Sequence, residues 1–422
     1  MRSYRLICTG CGAHYDDDGS RLQCANDHAP ALLRSQYAQR AFRPRDEDSV
    51  LRYADWLPDA RAFATGAQTG VYRSTALAAK LGLRRLWIAF SGWWPQRGAT
   101  LPTGSFKDLE AVSVLRRQAP DDSRSLVISS AGNTALAFAR ACSENDVPAL
   151  IVVPMRGWQE VMRHALIGPS VHVVAISDAG YDEATAFARE LCRNDEFILE
   201  GGVRNVGRRD GMGTAMLAAV EAIGALPDVY VQAVGSAAGA LAAHEAALRI
   251  IGDGRFGTRL PRLLLGQNAP FAPIHDAWQA HRSTLLERDA AATAAQLAQL
   301  GAFVLGNQAP PYAVAGGIRE ALVASGGASY AITNAGLRNA MALFAELEGI
   351  DVEPAAGVAI AALAAAVDAG AVAADATVLL HVTGGGRHAL SAGSAASVTP
   401  ALVLARGELA TTAIGRTRSL VA

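Results

Sequence analysis

The 422-residue sequence lacks any long run of like charge. Its 38 Lys+Arg and 39 Asp+Glu leave a formal net charge of −1. That balance argues against a nucleic acid or an anionic membrane as its partner. Also missing is an apolar run long enough to cross a bilayer. The longest, 355-AAGVAIAALAAAV-367, is mostly alanine and ends at Asp368, short of the ~20 residues a spanning helix needs. The N-terminus, MRSYRLICTGCG, has no apolar signal core, so a cytoplasmic protein is expected. Five cysteines in a chain this long do not make a secreted disulfide scaffold.

What is present is a globular composition. Half of the residues (51%) are hydrophobic and glycine is abundant, and the length can fill two domain cores. In 8-CTGCGAHYDDDGSRLQCANDH-28, Cys8 and Cys11 are spaced C-x2-C, and Cys24 and His28 C-x3-H. Three thiolates and an imidazole can close a tetrahedral zinc site, structural because no ligand position stays open. The other reading is an N-terminal loop with reduced cysteines.

From about residue 125, apolar strand-like runs alternate with helical stretches. The runs are 125-SLVIS-129, 149-ALIVVP-154, 171-VHVVAI-176, 197-FILEG-201, 229-VYVQAV-234, 262-RLLLG-266 and 377-TVLLHVT-383. Helical stretches such as 134–145 and 181–194 lie between them. This pattern predicts parallel sheets covered on both faces, in two doubly wound open-sheet α/β domains. Ligands of such sheets bind beyond the carboxyl ends of strands, so the residues following each strand matter most.

After the first run comes 130-SAGNTA-135, where Ser130, Ala131, Gly132, Asn133 and Thr134 open a helix. These residues can bind a carboxylate or ring oxygen there, or serve as an ordinary helix cap. After 229–234 comes 235-GSAAG-239. Gly235, Ser236, Ala237, Ala238 and Gly239 make a small-residue turn into a helix, a form suited to a phosphate or to close helix–sheet packing. After 377–382, Thr383 precedes three glycines. Upstream, 102-PTGSFKD-108 places Lys107 at a helix mouth, where the dipole disfavours a cation. An anion cradle, an amine, an asparagine loop and a strand-end hydroxyl are together the parts of a pyridoxal phosphate (PLP) site.

These four motifs resemble those of the fold type II PLP enzymes and, within them, the threonine synthases. Four longer stretches, 12–37, 207-GRRDGMGTAMLAA-219, 226–243 and 264-LLGQNAPFAPIHDAW-278, resemble the cysteate synthases, a parallel branch. The resemblance runs from about residue 4 to 390. It implies that Lys107 carries the Schiff base and removes the substrate α-proton, that Asn133 meets the cofactor 3′ oxygen, that Thr383 faces the pyridine nitrogen, and that 235–239 hold the phosphate. It further implies β-replacement of O-phospho-L-serine by sulfite through an aminoacrylate, giving L-cysteate and phosphate, in a homodimer or larger oligomer. Threonine synthase chemistry on O-phosphohomoserine, or another nucleophile on phosphoserine, is the alternative. The lysine motif continues Lys107-Asp108-Leu109-Glu110 where threonine synthases have Lys-Asp-Arg-Gly, and the loop 235–239 is poorer in glycine and threonine than the resemblance implies. Two anionic reactants require fixed positive charge, for which Arg204, Arg208 and Arg209 in 204-RNVGRRDG-211 are the candidates, with Arg387 and His388 second. The expected organisation is a zinc-ribbon-like segment at 1–35, a large PLP-binding domain from 36–110 and 215–400, a smaller domain at 111–214 carrying the asparagine loop, and a tail at 401–422.

Overall fold

Strands that are apolar on both sides must be covered on both sides. A computed structural model, which describes residues 2–130, 132–162, 167–391, 399–408 and 411–421, arranges them in two such sheets. The smaller sheet is parallel, in the order Phe197–Leu199, Ser125–Ser129, Ala149–Pro154, Val171–Ser177, Leu402–Ala405. The larger runs Ala328–Ile332, Arg262–Asn268, Val229–Ala233, Thr377–Val382, Arg85–Phe90, with Gly70–Ser74 antiparallel at its edge. Every residue of Ala149–Pro154 and of Val229–Ala233 is buried, as helices on both faces require. This is the α/β architecture the strand–helix alternation predicts. Among the described residues no helix is long and apolar enough to cross a membrane.

All seven expected strand runs are present; three are trimmed, 229–234 by one residue at Ala233, and the trimming of the other two serves the site. The run 197–201 ends as a strand at Leu199, and 377–383 ends at Val382. Glu200 and Thr383 therefore leave their sheets at the carboxyl edge.

Three arrangements differ from the expected organisation. The segment expected to trail as a tail supplies Leu402–Ala405, which pairs with Val174–Ser177. The boundaries expected at 110/111 and 214/215 both fall inside helices, Lys107–Arg117 and Val206–Ile223. These two helices pack on each other and join the two halves. The N-terminal ribbon is a small antiparallel sheet of His14–Tyr15, Tyr4–Cys8 and Leu33–Tyr37. It does not stand apart, because Tyr4, Leu6 and Leu33 share one apolar core with Val206, Leu217, Ala240 and Leu241.

Candidate active site

Lys107 is placed by backbone stitching. Phe106 N donates to the Thr383 carbonyl at 3.0 Å, Gly385 N donates to the Gly104 carbonyl at 3.0 Å, and Ser105 and Gly384 form an isolated bridge. The lysine loop and the Thr383 turn are thus one unit, although 276 positions separate Lys107 from Thr383 in sequence (383 minus 107). Asp108 caps this unit, accepting from Thr103 N and Thr103 Oγ1, both at 2.9 Å. Burial pushes its carboxyl up to about 7, against the pull of the two Thr103 bonds.

The Lys107 side chain lies in a cavity of about 900 Å³ between the two sheets and is 18% exposed. Its Nζ donates to Glu110 Oε2 at 3.2 Å and sits 4.5 Å from the Phe106 ring centroid. Burial holds the amine pKa below the ordinary lysine value; Glu110 opposes this and Arg208 adds to it. Glu110 is fully buried and acts as a hub. It also accepts from Thr134 Oγ1 at 2.7 Å and pairs with Arg208 Nη1 at 2.9 Å. Arg208 in turn forks onto Glu200, Nε at 2.9 Å and Nη2 at 2.5 Å. Burial works against the guanidinium charge, but Glu110 and Glu200 more than offset it and raise its pKa.

The cavity gathers most of the expected residues: Ser130, Gly132, Asn133, Thr134, Arg208, Thr383 and all of 235–239. Ala131 lies outside the described residues. Asn133 donates to Glu353 Oε2 at 2.8 Å and accepts from Arg387 Nη2 at 2.9 Å, which leaves its second amide N–H without a partner among the described residues. Arg387 also pairs with Glu353 at 2.6 Å, so it orients Asn133. His388 is largely exposed and stands 3.6 Å from Asp351. The Thr383 hydroxyl has no partner among the described residues. Arg204 is exposed and lines an adjoining cavity of about 2050 Å³, which shares Arg208, Tyr181 and Asn307 with the first. Arg209 is not brought to the site. It is fully buried on the other side of its helix, held by Glu245 at 3.1 Å and by the carbonyls of Val203 and Leu33. Adjacent helical residues point about 100° apart, so Arg208 and Arg209 cannot share a target.

The residues fit PLP. The loop 235–239 ends in the helix Ala238–Asp253, whose first N–H groups have no intrahelical partner and whose dipole favours an anion. Ala237 takes a left-handed conformation, φ 58°, which curls the loop around the cavity. The absent side chains are needed: a Cβ at Gly239 would lie 2.4 Å from Gln232 Nε2 and 2.8 Å from Phe106 Cε2. Gly239→Ala is therefore expected to push Phe106 and Gln232 inward at a cost of about 1–3 kcal/mol. Cofactor affinity then falls roughly tenfold or more, read by titrating apoprotein with PLP, whereas unchanged affinity would mean that the loop does not bear on the cofactor.

Sequence reading missed Glu110, Glu200 and Glu353. Glu110 had a signal, since it is the departure from the Lys-Asp-Arg-Gly pattern. Glu353 had none, because it precedes a proline at the start of the alanine-rich helix Pro354–Asp368. Burial raises its carboxyl pKa, with Arg387 opposing. A further signal was overlooked: the chain contains only two lysines, Lys80 and Lys107, and Lys80 is exposed.

Comparison with known proteins agrees with this geometry. Residues 64–384 match the family described as pyridoxal-phosphate dependent enzyme. The chain is 41% identical over 387 residues to a cysteate synthase of Methanospirillum hungatei, covering 92% of this chain and 90% of that one. It is 42% identical over 388 residues to one of Methanosarcina mazei (92% of each), and 43% over 388 residues to one of Methanoculleus marisnigri (91% and 88%). Among solved structures, maize serine racemase superposes with TM-score 0.59 at 18% identity, covering 77% of this chain and 92% of that one. Diaminopropionate ammonia lyase from Escherichia coli gives 0.57 at 14% (82% and 91%), and at such identities these two speak for the fold alone. A lysine-bearing cavity between two doubly wound sheets and identity above 40% along nine tenths of its length lead to one conclusion: this chain is a PLP-dependent enzyme and belongs to the cysteate synthase family.

Proposed function

We propose that the chain catalyses β-replacement of O-phospho-L-serine by sulfite, releasing L-cysteate and phosphate. What supports this reading most is the nearly end-to-end similarity to proteins named cysteate synthase. The geometry adds an amine with a lowered pKa and, in the adjoining cavity, the exposed guanidinium of Arg204, which has no partner among the described residues. When bound, PLP withdraws electrons from the substrate α-carbon and so permits loss of a β-substituent. Lys107 would hold the cofactor through its amine and would serve as the base for the substrate α-proton. Its lowered pKa favours the neutral, basic form. Glu110, itself fixed by Arg208 and Thr134, holds Nζ in place. The 235–239 amides and Ser236 hold the cofactor phosphate. The Asn133 amide would hold the cofactor's 3′ oxygen, and the Thr383 hydroxyl its ring nitrogen. Ser130, Gly132 and Thr134 receive the substrate carboxylate at the start of the helix Asn133–Glu144. Overall, a Cβ–O bond breaks with the electron pair leaving on phosphate, and a Cβ–S bond forms from the sulfite sulfur.

Arg208 already spends three of its five N–H donors on carboxylates. It can orient an anion, but Arg204 is freer to attract one. Arg204→Gln is expected to raise KM for phosphoserine or sulfite about three- to tenfold, with kcat little changed, as removal of a partly exposed charged contact should. Steady-state kinetics with each reactant varied will show it, and unchanged KM values would take Arg204 out of binding.

The reading itself is tested by adding O-phospho-L-serine to PLP-loaded protein, following the visible spectrum, and then adding sulfite. A spectral change that sulfite reverses, with cysteate and phosphate released, is expected. Indifference to phosphoserine with turnover of O-phosphohomoserine would overturn it.

A further inference from the structure

The four N-terminal residues Cys8, Cys11, Cys24 and His28 take no part in the site above, yet they converge. Their ligand atoms all lie within 4.8 Å of one another. Cys8 Sγ is 3.5 Å from His28 Nε2, and Cys11 Sγ is 3.6 Å from Cys24 Sγ. A tetrahedral zinc with Zn–S of about 2.3 Å and Zn–N of about 2.0 Å sets its ligands roughly 3.5–3.8 Å apart. We propose that these residues hold one zinc ion, a structural site that fixes one wall of the second cavity.

Three features around the cluster suit a metal. His28 Nδ1 contacts the Ala29 carbonyl at 2.6 Å, a bond that fixes the proton on Nδ1 and leaves the Nε2 lone pair directed toward Cys8, as ligating histidines are held. The sulfurs are met by donors: Asn26 Nδ2 reaches Cys11 Sγ at 3.4 Å, and Tyr15 OH lies 3.0 Å from Cys24 Sγ. Three thiolates around a dication leave one net negative charge, which such donors stabilise. The backbone is shaped for the approach, since a Cβ on Gly10 would lie 2.9 Å from Ala31 Cβ and 3.3 Å from His28 Cε1.

The site has a structural consequence of its own. Cys24, Asn26 and His28 line the second cavity together with Arg204 and Arg208. Apart from the Ala25 N bond to Tyr15 OH at 3.1 Å, the tip around Cys24 and His28 is tied to Cys8 and Cys11 through the sulfur and imidazole contacts of the cluster itself, which a metal would replace with bonds. The zinc has no open position and takes no part in bond making. This inference is independent of the reaction proposed above.

The test is metal analysis of holoenzyme purified from zinc-replete cells without chelators, beside Cys11→Ser. About one zinc per chain is expected in the parent, and loss of that zinc with a lower melting temperature in the variant. Cys11 is exposed, so the substitution leaves the core packed. If the variant fails to accumulate, the cobalt-grown parent decides: d–d bands of a tetrahedral cobalt thiolate are expected. Zinc-free parent protein, zinc retained by Cys11→Ser, or cobalt uptake with the spectrum of an octahedral ion would each overturn the proposal.

Discussion

Lys107→Ala is expected to reduce turnover by a factor on the order of 10³–10⁴, with the fold retained. The side chain is partly exposed to a cavity, so its removal leaves no sealed apolar void. On the proposed function the loss is chemical, since Lys107 is the amine assigned to attach to the cofactor and to move the α-proton. With only two lysines in the chain, the assignment can be checked covalently. Borohydride reduction of the loaded enzyme should fix the cofactor on the peptide containing Lys107, and mass spectrometry should find Lys80 unmodified. Lys80→Ala should behave as the parent. A Lys107→Ala enzyme keeping a tenth of its activity, or label on Lys80, would sink the assignment.

Asp17→Ala is expected to cost about 3–5 kcal/mol of stability, the penalty for stranding a buried charge. Arg117 is fully buried. Its Nε and Nη2 meet the two Asp17 oxygens at 2.9 and 2.8 Å, and Nη1 meets Asn205 Oδ1 at 2.9 Å. Tyr4 OH donates to the same carboxylate at 2.5 Å. Among the described residues Asp17 is the only carboxylate hydrogen-bonded to Arg117. Urea titration reads the loss directly, and Asp17→Leu combined with Arg117→Met should recover part of it, because an apolar pair strands no charge. The pH dependence has a defined sign. Burial raises the Asp17 pKa, but the Arg117 bonds outweigh it and the net value is lowered. The folded state thus binds this proton less tightly than the unfolded chain, whose aspartate titrates near ~3.9. The pair's contribution is fully present above that pH and fades as pH falls through the folded value. A single variant with unchanged stability at pH 7 would show the pair to be dispensable.

The strand runs, the parallel type of the sheets and the placement of the motifs were legible because all three depend on local pattern. Ala149–Pro154 is apolar throughout since helices cover it on both sides, and the turns after 129, 234 and 382 met at one cavity because parallel strands bring their carboxyl ends together. Less legible were elements whose character is set by distant partners. Gly70–Ser74 and Leu402–Ala405 are short edge strands with one neighbour each, and their sequences carry half a signal. Arg208 and Arg209 look equivalent in a string, and only helical rotation separates the one facing the cavity from the one facing Glu245. Glu200 and Glu353 are ordinary acidic residues until tertiary structure pairs them with Arg208 and with Asn133 and Arg387.

One helix begins at Lys107 and ends at Arg117, about 15 Å away at 1.5 Å per residue. Its first residue carries the amine proposed to react, and its last is clamped by the N-terminal segment through Asp17. The ribbon is in effect the far handle of a rod whose near tip points the Lys107 amine into the cavity. An exchange of the first 35 residues for those of a relative would therefore not be a neutral graft. Unless the incoming segment presents a carboxylate to Arg117, the rod loses its anchor, and the disturbance arrives at the opposite end, where a shift of an ångström separates a competent base from an idle one.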